Sequence, residues 1–170
     1  MAKIVEQFDS MIQDVQATED ANGPQGVDDL KKQLLETRNI TQSNLDKFEE
    51  DAQRIQPKLV VTGMSMTLFP LPVREMVKII EPWGGKFIFD GAHQAGLIAG
   101  GQFQDPLAEG AALLTGSAGK TFSGPQSGMM MWNDSALTEP LTEAIFPVLA
   151  ATHQVNRVAA LAVSAAEMLE

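Results

Sequence analysis

The feature that most constrains the fold is a pair of apolar runs, each followed by a charged residue. The segment KFIF ends in Asp90, and a second run leads through a Gly/Ser-rich segment to Lys120, thirty residues further on. This is about the length of one strand–crossover–strand unit. Because the carboxyl ends of parallel strands meet at one edge of an α/β sheet, where ligands bind, we expect the two residues to lie close together. The sequence therefore predicts either a site or an ion pair there.

Further apolar runs bounded by Gly and Pro extend this pattern into a sheet with helices between its strands. The predicted strands cover residues 59–61, 87–89, 112–114 and 129–131. The predicted helices cover residues 71–80, 92–99, a short segment after Asp105, 138–146 and 151–169. The last helix is alanine-rich, which is typical of a buried helix. This alternation predicts an α/β fold with a mainly parallel sheet flanked by helices.

Residues 1–40 have a different pattern, which predicts an N-terminal helical arm. Apolar residues recur there at helical spacing, and the segment TEDANGPQG then breaks the chain. A second helix is predicted to begin at Asp28 or Asp29 and a third at Thr41 or Ser43, because these residue types are good N-caps. We interpret the arm as a packing or dimer-contact element.

Composition narrows the classes of function. A chain of 170 residues can bury one core, and a formal net charge of −10 argues against nucleic acid or an anionic membrane as the main partner. The absence of cysteine excludes disulfides and thiolate metal sites, and we identify no metal ligands and no GxGxxG or Walker loop. No apolar run reaches the roughly 18 residues that span a membrane, and no signal peptide is recognised. A cytoplasmic location is therefore expected.

The order of two motifs carries a family resemblance. D-x-A-H followed by T-x-S-x-x-K-T-x-x-G-P-x-x-G resembles the pyridoxal-phosphate (PLP) enzymes of the aspartate-aminotransferase fold (fold type I), and most of all serine (glycine) hydroxymethyltransferase. The resemblance runs from about residue 45 to the C-terminus and includes PKLVVTGMS. It implies that residues 41–170 form part of the large domain of such an enzyme. The implied activity is one-carbon transfer between serine and tetrahydrofolate, with PLP as cofactor, in a homodimer.

The resemblance also assigns roles to five residues. It implies that Lys120 forms the aldimine with PLP and that Asp90 keeps the pyridine nitrogen protonated. It places His93 and Ser65 beside the phenolic oxygen of the cofactor, and Ser117 near the ring or the phosphate. Lys120, Asp90 and His93 are the expected catalytic residues. Outside this motif, the same residues would be a solvated lysine, a cap, a structural histidine and two turn hydroxyls.

One geometric expectation follows from these roles. A pyridine ring has to fit between the carboxylate of Asp90 and the amine of Lys120. We therefore expect both groups to face one cleft without forming a direct salt bridge.

Departures from the family pattern leave the reaction open. Gly119 stands where most family members have histidine, and Gln126 stands where they commonly have arginine. His153 and Asn156 lie where the family contacts the cofactor phosphate across the dimer, but we interpret them as a cap or as surface residues. PLP-dependent aldolase or transaldolase chemistry on other β-hydroxy amino acids is therefore an alternative, and a catalytically silent scaffold domain is another.

Several parts of the family pattern have no counterpart in this sequence. They are the upstream loop that holds the PLP phosphate, the histidine that stacks on the ring, and the small C-terminal domain whose arginine binds the substrate carboxylate. We therefore expect a fragment, a remnant, or one half of a split enzyme that a complementing chain completes. For the isolated chain we expect weak PLP binding and no turnover.

Overall fold

A computed structural model describes residues 2–17 and 24–169, which fall into two compact units. The first unit is Met1–Gln56 and the second is Pro57–Glu170. The domain boundary expected after residue 40 stays a prediction. Most of the chain break expected in TEDANGPQG, at residues 18–23, lies outside the described residues.

The described part of the first unit consists of two helices that pack against each other, α1 (Ala2–Ala17) and α2 (Pro24–Ile55). Phe8 of α1 and Leu34 of α2 are both buried. An ion pair of 3.5 Å between Arg38 and Asp9 also joins the two helices.

The two helices expected between residues 28 and 55 are one continuous helix. The N-caps expected at Asp28 or Asp29 and at Thr41 or Ser43 are wrong, because all four residues lie inside α2. The hydroxyl of Thr41 donates instead to the carbonyl of Thr37 at 2.9 Å, within the helix. Threonine side chains can make either bond, so residue type alone does not separate a cap from a helix interior.

The second unit contains a four-stranded sheet whose strands follow chain order. Its strands are β1 (Leu59–Gly63), β2 (Lys86–Asp90), β3 (Leu113–Gly119) and β4 (Ser123–Met131). The first three strands are parallel, and β4 is antiparallel to β3. The predicted α/β fold with a mainly parallel sheet is confirmed. All four predicted strands are present, although Ala112 lies one residue before β3.

Helices follow or separate the strands of this unit. They are α3 (Val73–Ile80), α4 (Ala95–Ala99), α5 (Thr138–Glu143) and α6 (Val155–Glu167), with 3₁₀ turns at Glu81–Trp83 and Ser135–Leu137. The core of the unit includes Phe87 and Phe89, alternate residues of β2, together with Val73 and Ile80 from the two ends of α3. No described helix is both long and apolar enough to cross a membrane.

Two segments expected as helix differ in detail. After Asp105 there is a hydrogen-bonded turn instead of a helix, in which the carboxylate accepts from the backbone N–H groups of Leu107 and Ala108 at 3.1 Å each. The helix expected over residues 138–146 ends earlier, because Phe146 is extended (φ −127°, ψ 125°). A residue before proline, here Pro147, is biased towards that conformation.

The alanine-rich helix near the C-terminus was expected to be buried, and that expectation is wrong. No residue of α6 is buried. Alanine favours a helix through its backbone propensity whether or not the helix is covered, so composition alone does not report burial.

One glutamine holds two loops of the second unit together. The Gln104 amide oxygen accepts from the Leu71 N–H at 2.7 Å, and its amide nitrogen donates to the Leu71 carbonyl at 3.0 Å. The same nitrogen donates to the carboxylate of Glu109 at 2.7 Å. Burial raises the pKa of Glu109 above its ordinary value, and the hydrogen bond from Gln104 opposes this rise in part.

Candidate functional site

Four of the five predicted site residues line one open cleft of about 150 Å³ at the carboxyl edge of the sheet. The cleft forms there because β1 ends at Gly63, β2 ends at Asp90, and Lys120 directly follows β3. Its lining residues are Gly63, Met64, Ser65, Asp90, Ala92, His93 and Lys120. Neighbouring strands therefore bring together residues that are up to 57 positions apart in the chain.

Asp90 is oriented through one of its two carboxylate oxygens. Oδ1 accepts from the backbone N–H of Ala92 at 3.0 Å and lies 3.4 Å from the hydroxyl of Thr115, its partner on β3. Among the hydrogen bonds of the described residues, none reaches Oδ2. The side chain is thus held in place while one oxygen stays available to a ligand.

Lys120 lies in the turn between β3 and β4 and is exposed to solvent. Among the described ion pairs, none joins it to Asp90. The ion-pair alternative is therefore not what the structure shows, and the expectation of two charged groups facing one cleft without a salt bridge is confirmed. The β3–β4 ladder is irregular between Ser117 and Gly119, just before the lysine. Irregularities of this kind re-aim side chains next to sites.

Two glycines allow the close contacts that shape the cleft. A Cβ atom on Gly63 would lie 2.6 Å from the Asp90 Cβ, so a side chain there would separate the ends of β1 and β2. A Cβ on Gly96 would lie 2.2 Å from the Thr121 carbonyl oxygen. The absence of side chains at both positions lets the three segments that carry the site approach one another.

Thr121 ties the lysine turn to the segment that carries His93. Its hydroxyl donates to the His93 carbonyl at 2.6 Å and accepts from the Gly96 N–H at 3.1 Å. Our reading of the sequence gave Thr121 no role, although it is the threonine of the S-x-x-K-T motif. The motif therefore pointed to Thr121, but the sequence did not show that Thr121 bonds to His93 and Gly96.

The remaining predicted residues lie outside the cleft lining. Ser117 lies within β3 opposite Gly128 of β4, and its proposed contact with the cofactor stays a prediction. His153 and Asn156 are both exposed, as expected of surface residues.

The G-P-x-x-G part of the motif lies in a strand. Its residues Gly124, Pro125 and Gly128 all belong to β4. A proline is tolerated there because β4 lies at the edge of the sheet, as the strand order shows.

Comparisons with known proteins point to one family. The family model described as Serine hydroxymethyltransferase matches residues 32–170. A curated serine hydroxymethyltransferase from Methanopyrus kandleri is 46% identical over 127 residues, which are 75% of this chain and 29% of that protein. One from Methanothermobacter marburgensis is 45% identical over 136 residues, 80% of this chain and 31% of that protein. One from Pyrococcus horikoshii is 42% identical over 130 residues, with shares of 75% and 30%. The chain spans about 30% of the length of these relatives.

Proposed function

This chain belongs to the serine hydroxymethyltransferase family, and we propose that its cleft is the PLP site of an enzyme that transfers a one-carbon unit between serine and tetrahydrofolate. The observation that carries the proposal is the placement of Asp90 and Lys120. They face one cleft from neighbouring strands, are not paired with each other, and leave the Asp90 Oδ2 without a partner among the described residues.

The groups lining the cleft fit PLP in chemistry. Lys120 offers the amine that condenses with the cofactor aldehyde, and Asp90 offers a carboxylate oxygen to the pyridine N–H. His93 and Ser65 line the same cleft and can hydrogen-bond the phenolic oxygen. When bound, PLP supplies an electron sink for negative charge at the substrate Cα.

Each residue then has a defined task. Asp90 would hold the protonated ring nitrogen through a charge-assisted hydrogen bond, and the Ala92 N–H and Thr115 hydroxyl keep its carboxylate oriented. Lys120 would hold the cofactor through its side-chain amine. Ser117 remains a proposed contact of the ring or phosphate.

The same cleft argues for weak binding by this chain alone. A phosphate is held by several backbone N–H groups and cations, whereas the cleft lining contributes Lys120 and His93 as its basic side chains. Asp90, Lys120 and Ser65 are also exposed, so water competes for their hydrogen bonds. We propose that a second copy of this chain or a complementing chain supplies further contacts to the cofactor phosphate. We also propose a cytoplasmic location.

One observation favours an aldolase or transaldolase acting on other β-hydroxy amino acids as a second candidate. The two departures from the family pattern are neighbours across the β3–β4 hairpin: a Cβ on Gly119 would lie 3.4 Å from the Gln126 Cα. Gly119 and Gln126 therefore alter the same part of the surroundings of Lys120 relative to the family pattern.

Titration of the chain with PLP tests the proposal. Condensation with an amine gives PLP a visible absorbance band, which we expect in the wild type at high cofactor concentration and not in Lys120→Ala. Lys78→Ala is the matched control, because Lys78 is an exposed lysine on α3. A spectrum that is the same in wild type and Lys120→Ala would refute the site and favour the silent scaffold. Serine turnover that depends on tetrahydrofolate, assayed with any complementing chain, separates hydroxymethyl transfer from aldolase chemistry.

A further inference from the structure

Gln94 is a buried polar side chain next to the cleft, with 4% of its surface exposed. It follows His93 directly and precedes α4. Its amide nitrogen donates to the backbone carbonyl of Met64 at 2.7 Å. Met64 lies between Gly63 and Ser65, so this bond joins the loop after β1 to the turn after β2.

The other half of the amide is not satisfied. The Gln94 Oε1 is buried and has no hydrogen-bond partner among the described residues. Exchanging the two amide atoms would place Oε1 against the Met64 carbonyl, with two acceptors facing each other, so the orientation is fixed. A buried carbonyl oxygen without a donor is unfavourable, and an apolar side chain of similar size would avoid that loss. The donor half of the amide is therefore the half that makes a contact within the described residues.

The unsatisfied polar atoms of the described residues are concentrated around this loop. The other buried side-chain atom without a partner is the hydroxyl of Thr62, two residues before Met64. Outside the strand ladder, the Gln94 bond is the one hydrogen bond of the described residues that reaches segment 64–66. One side chain therefore supplies the hydrogen bond that links this exposed segment to the turn after β2.

We propose that Gln94 is a positioning residue of the cleft, which fixes the Ser65 loop against the turn that carries Asp90 and His93. It acts through Met64 and does not line the cleft itself. The role of the positioned Ser65 hydroxyl rests on the proposed PLP site, whereas the contact itself does not.

The first test uses the chain without any ligand. Gln94→Leu roughly keeps the volume and removes the amide. Gln102→Leu is the control, because Gln102 is exposed and its side-chain amide bonds, within the described part of the chain, to the nearby Gly100 carbonyl. We expect the backbone order parameters of segment 64–66, measured by nitrogen relaxation in solution, to fall from about 0.85 towards 0.6 in Gln94→Leu but not in Gln102→Leu, with little change in β2. Unchanged order parameters would overturn the proposal. Gln94→Met, which matches the length of glutamine, serves if the leucine variant does not fold.

The second test asks whether the contact acts through Ser65. In PLP titrations we expect Gln94→Leu to weaken binding roughly 3- to 10-fold and Gln102→Leu to leave it unchanged. In a Ser65→Ala background the effect of Gln94→Leu should shrink, because coupled residues are not additive. Full additivity, or equal effects of the two leucine variants, would overturn the positioning role. If the wild type binds no PLP, the proposed function fails, and the order parameters of segment 64–66 still decide whether Gln94 holds the loop.

Discussion

The carboxyl edge of the sheet and the C-terminal segment 144–169 use their side chains in opposite ways. At the carboxyl edge the reactive groups are exposed, but the backbone that carries them is held by close contacts at Gly63 and Gly96 and by the Thr121 hydroxyl. In the C-terminal segment many of the exposed side chains are large and apolar. They include Phe146, Val148, Leu149, Val155, Val158 and Val163.

The comparison separates a cleft whose geometry is fixed by contacts within this chain from an apolar surface that the chain leaves exposed. The contacts that shape the cleft all lie within the second unit, so the cleft geometry should persist without a partner. Helix α6 contacts β4 through Leu161, but the apolar side chains named above are exposed, so changes to them should matter little to the isolated chain. Substitutions in the two regions therefore test the comparison directly.

The largest expected effect comes from the core beneath the cleft. Phe89 is buried in β2 next to Asp90, and Phe89→Ala should lower the free energy of unfolding by about 3–5 kcal/mol, through lost burial and a cavity. Val158→Ala on α6 is the counterpart in the open region, where the side chain is 54% exposed, and should change it by less than about 0.5 kcal/mol. Urea unfolding measures both. Comparable losses would mean that the C-terminal helix is covered in the isolated chain.

A smaller effect on stability is expected from the close contact between Gly96 of α4 and the Thr121 backbone in the lysine turn. Gly96→Ala would place a methyl group against the Thr121 backbone and should cost about 1–3 kcal/mol by overpacking. The displaced turn should also weaken the visible band of PLP bound to Lys120. Gly128→Ala is the control, since a Cβ there meets nothing within 4 Å. If Gly96→Ala unfolds at the same urea concentration as Gly128→Ala, the contact between Gly96 and the Thr121 backbone can relax without loss of stability.

The strands, and the placement of Asp90 and Lys120 in one cleft, could be predicted because each depends on a local pattern. An apolar run bounded by Gly or Pro reports a buried strand, and parallel strands place their ends together without further information. The family resemblance carried by the two motifs then selected five site residues, and four of them line the cleft.

The supporting contacts could not be predicted, for a physical reason. Gln94 meets Met64 and Thr121 meets His93 across about 30 residues of chain, and such partners depend on how loops fold back after the sheet has formed. The continuous helix α2 escaped prediction because its threonine hydroxyls are satisfied inside the helix. The exposure of α6 escaped because an alanine-rich sequence forms a helix with or without a covering surface.

The smallest expected effect concerns Glu109. Its carboxylate accepts a hydrogen bond from Gln104, as the cleft residues also have hydrogen-bond partners, but its charge is half-buried. Burial raises its pKa in the folded chain, so folding favours the protonated carboxyl. Its contribution to stability is then complete below the ordinary pKa and is lost as the pH rises through the folded-state pKa. Glu109→Gln keeps an oxygen that accepts from Gln104 and has no charge to bury. We expect it to unfold at a slightly higher urea concentration than the wild type at neutral pH, with the difference disappearing in acid. Glu36→Gln, an exposed position on α2, should show neither change. A stability gain for Glu109→Gln that is the same at every pH would show that the half-buried charge is not its source.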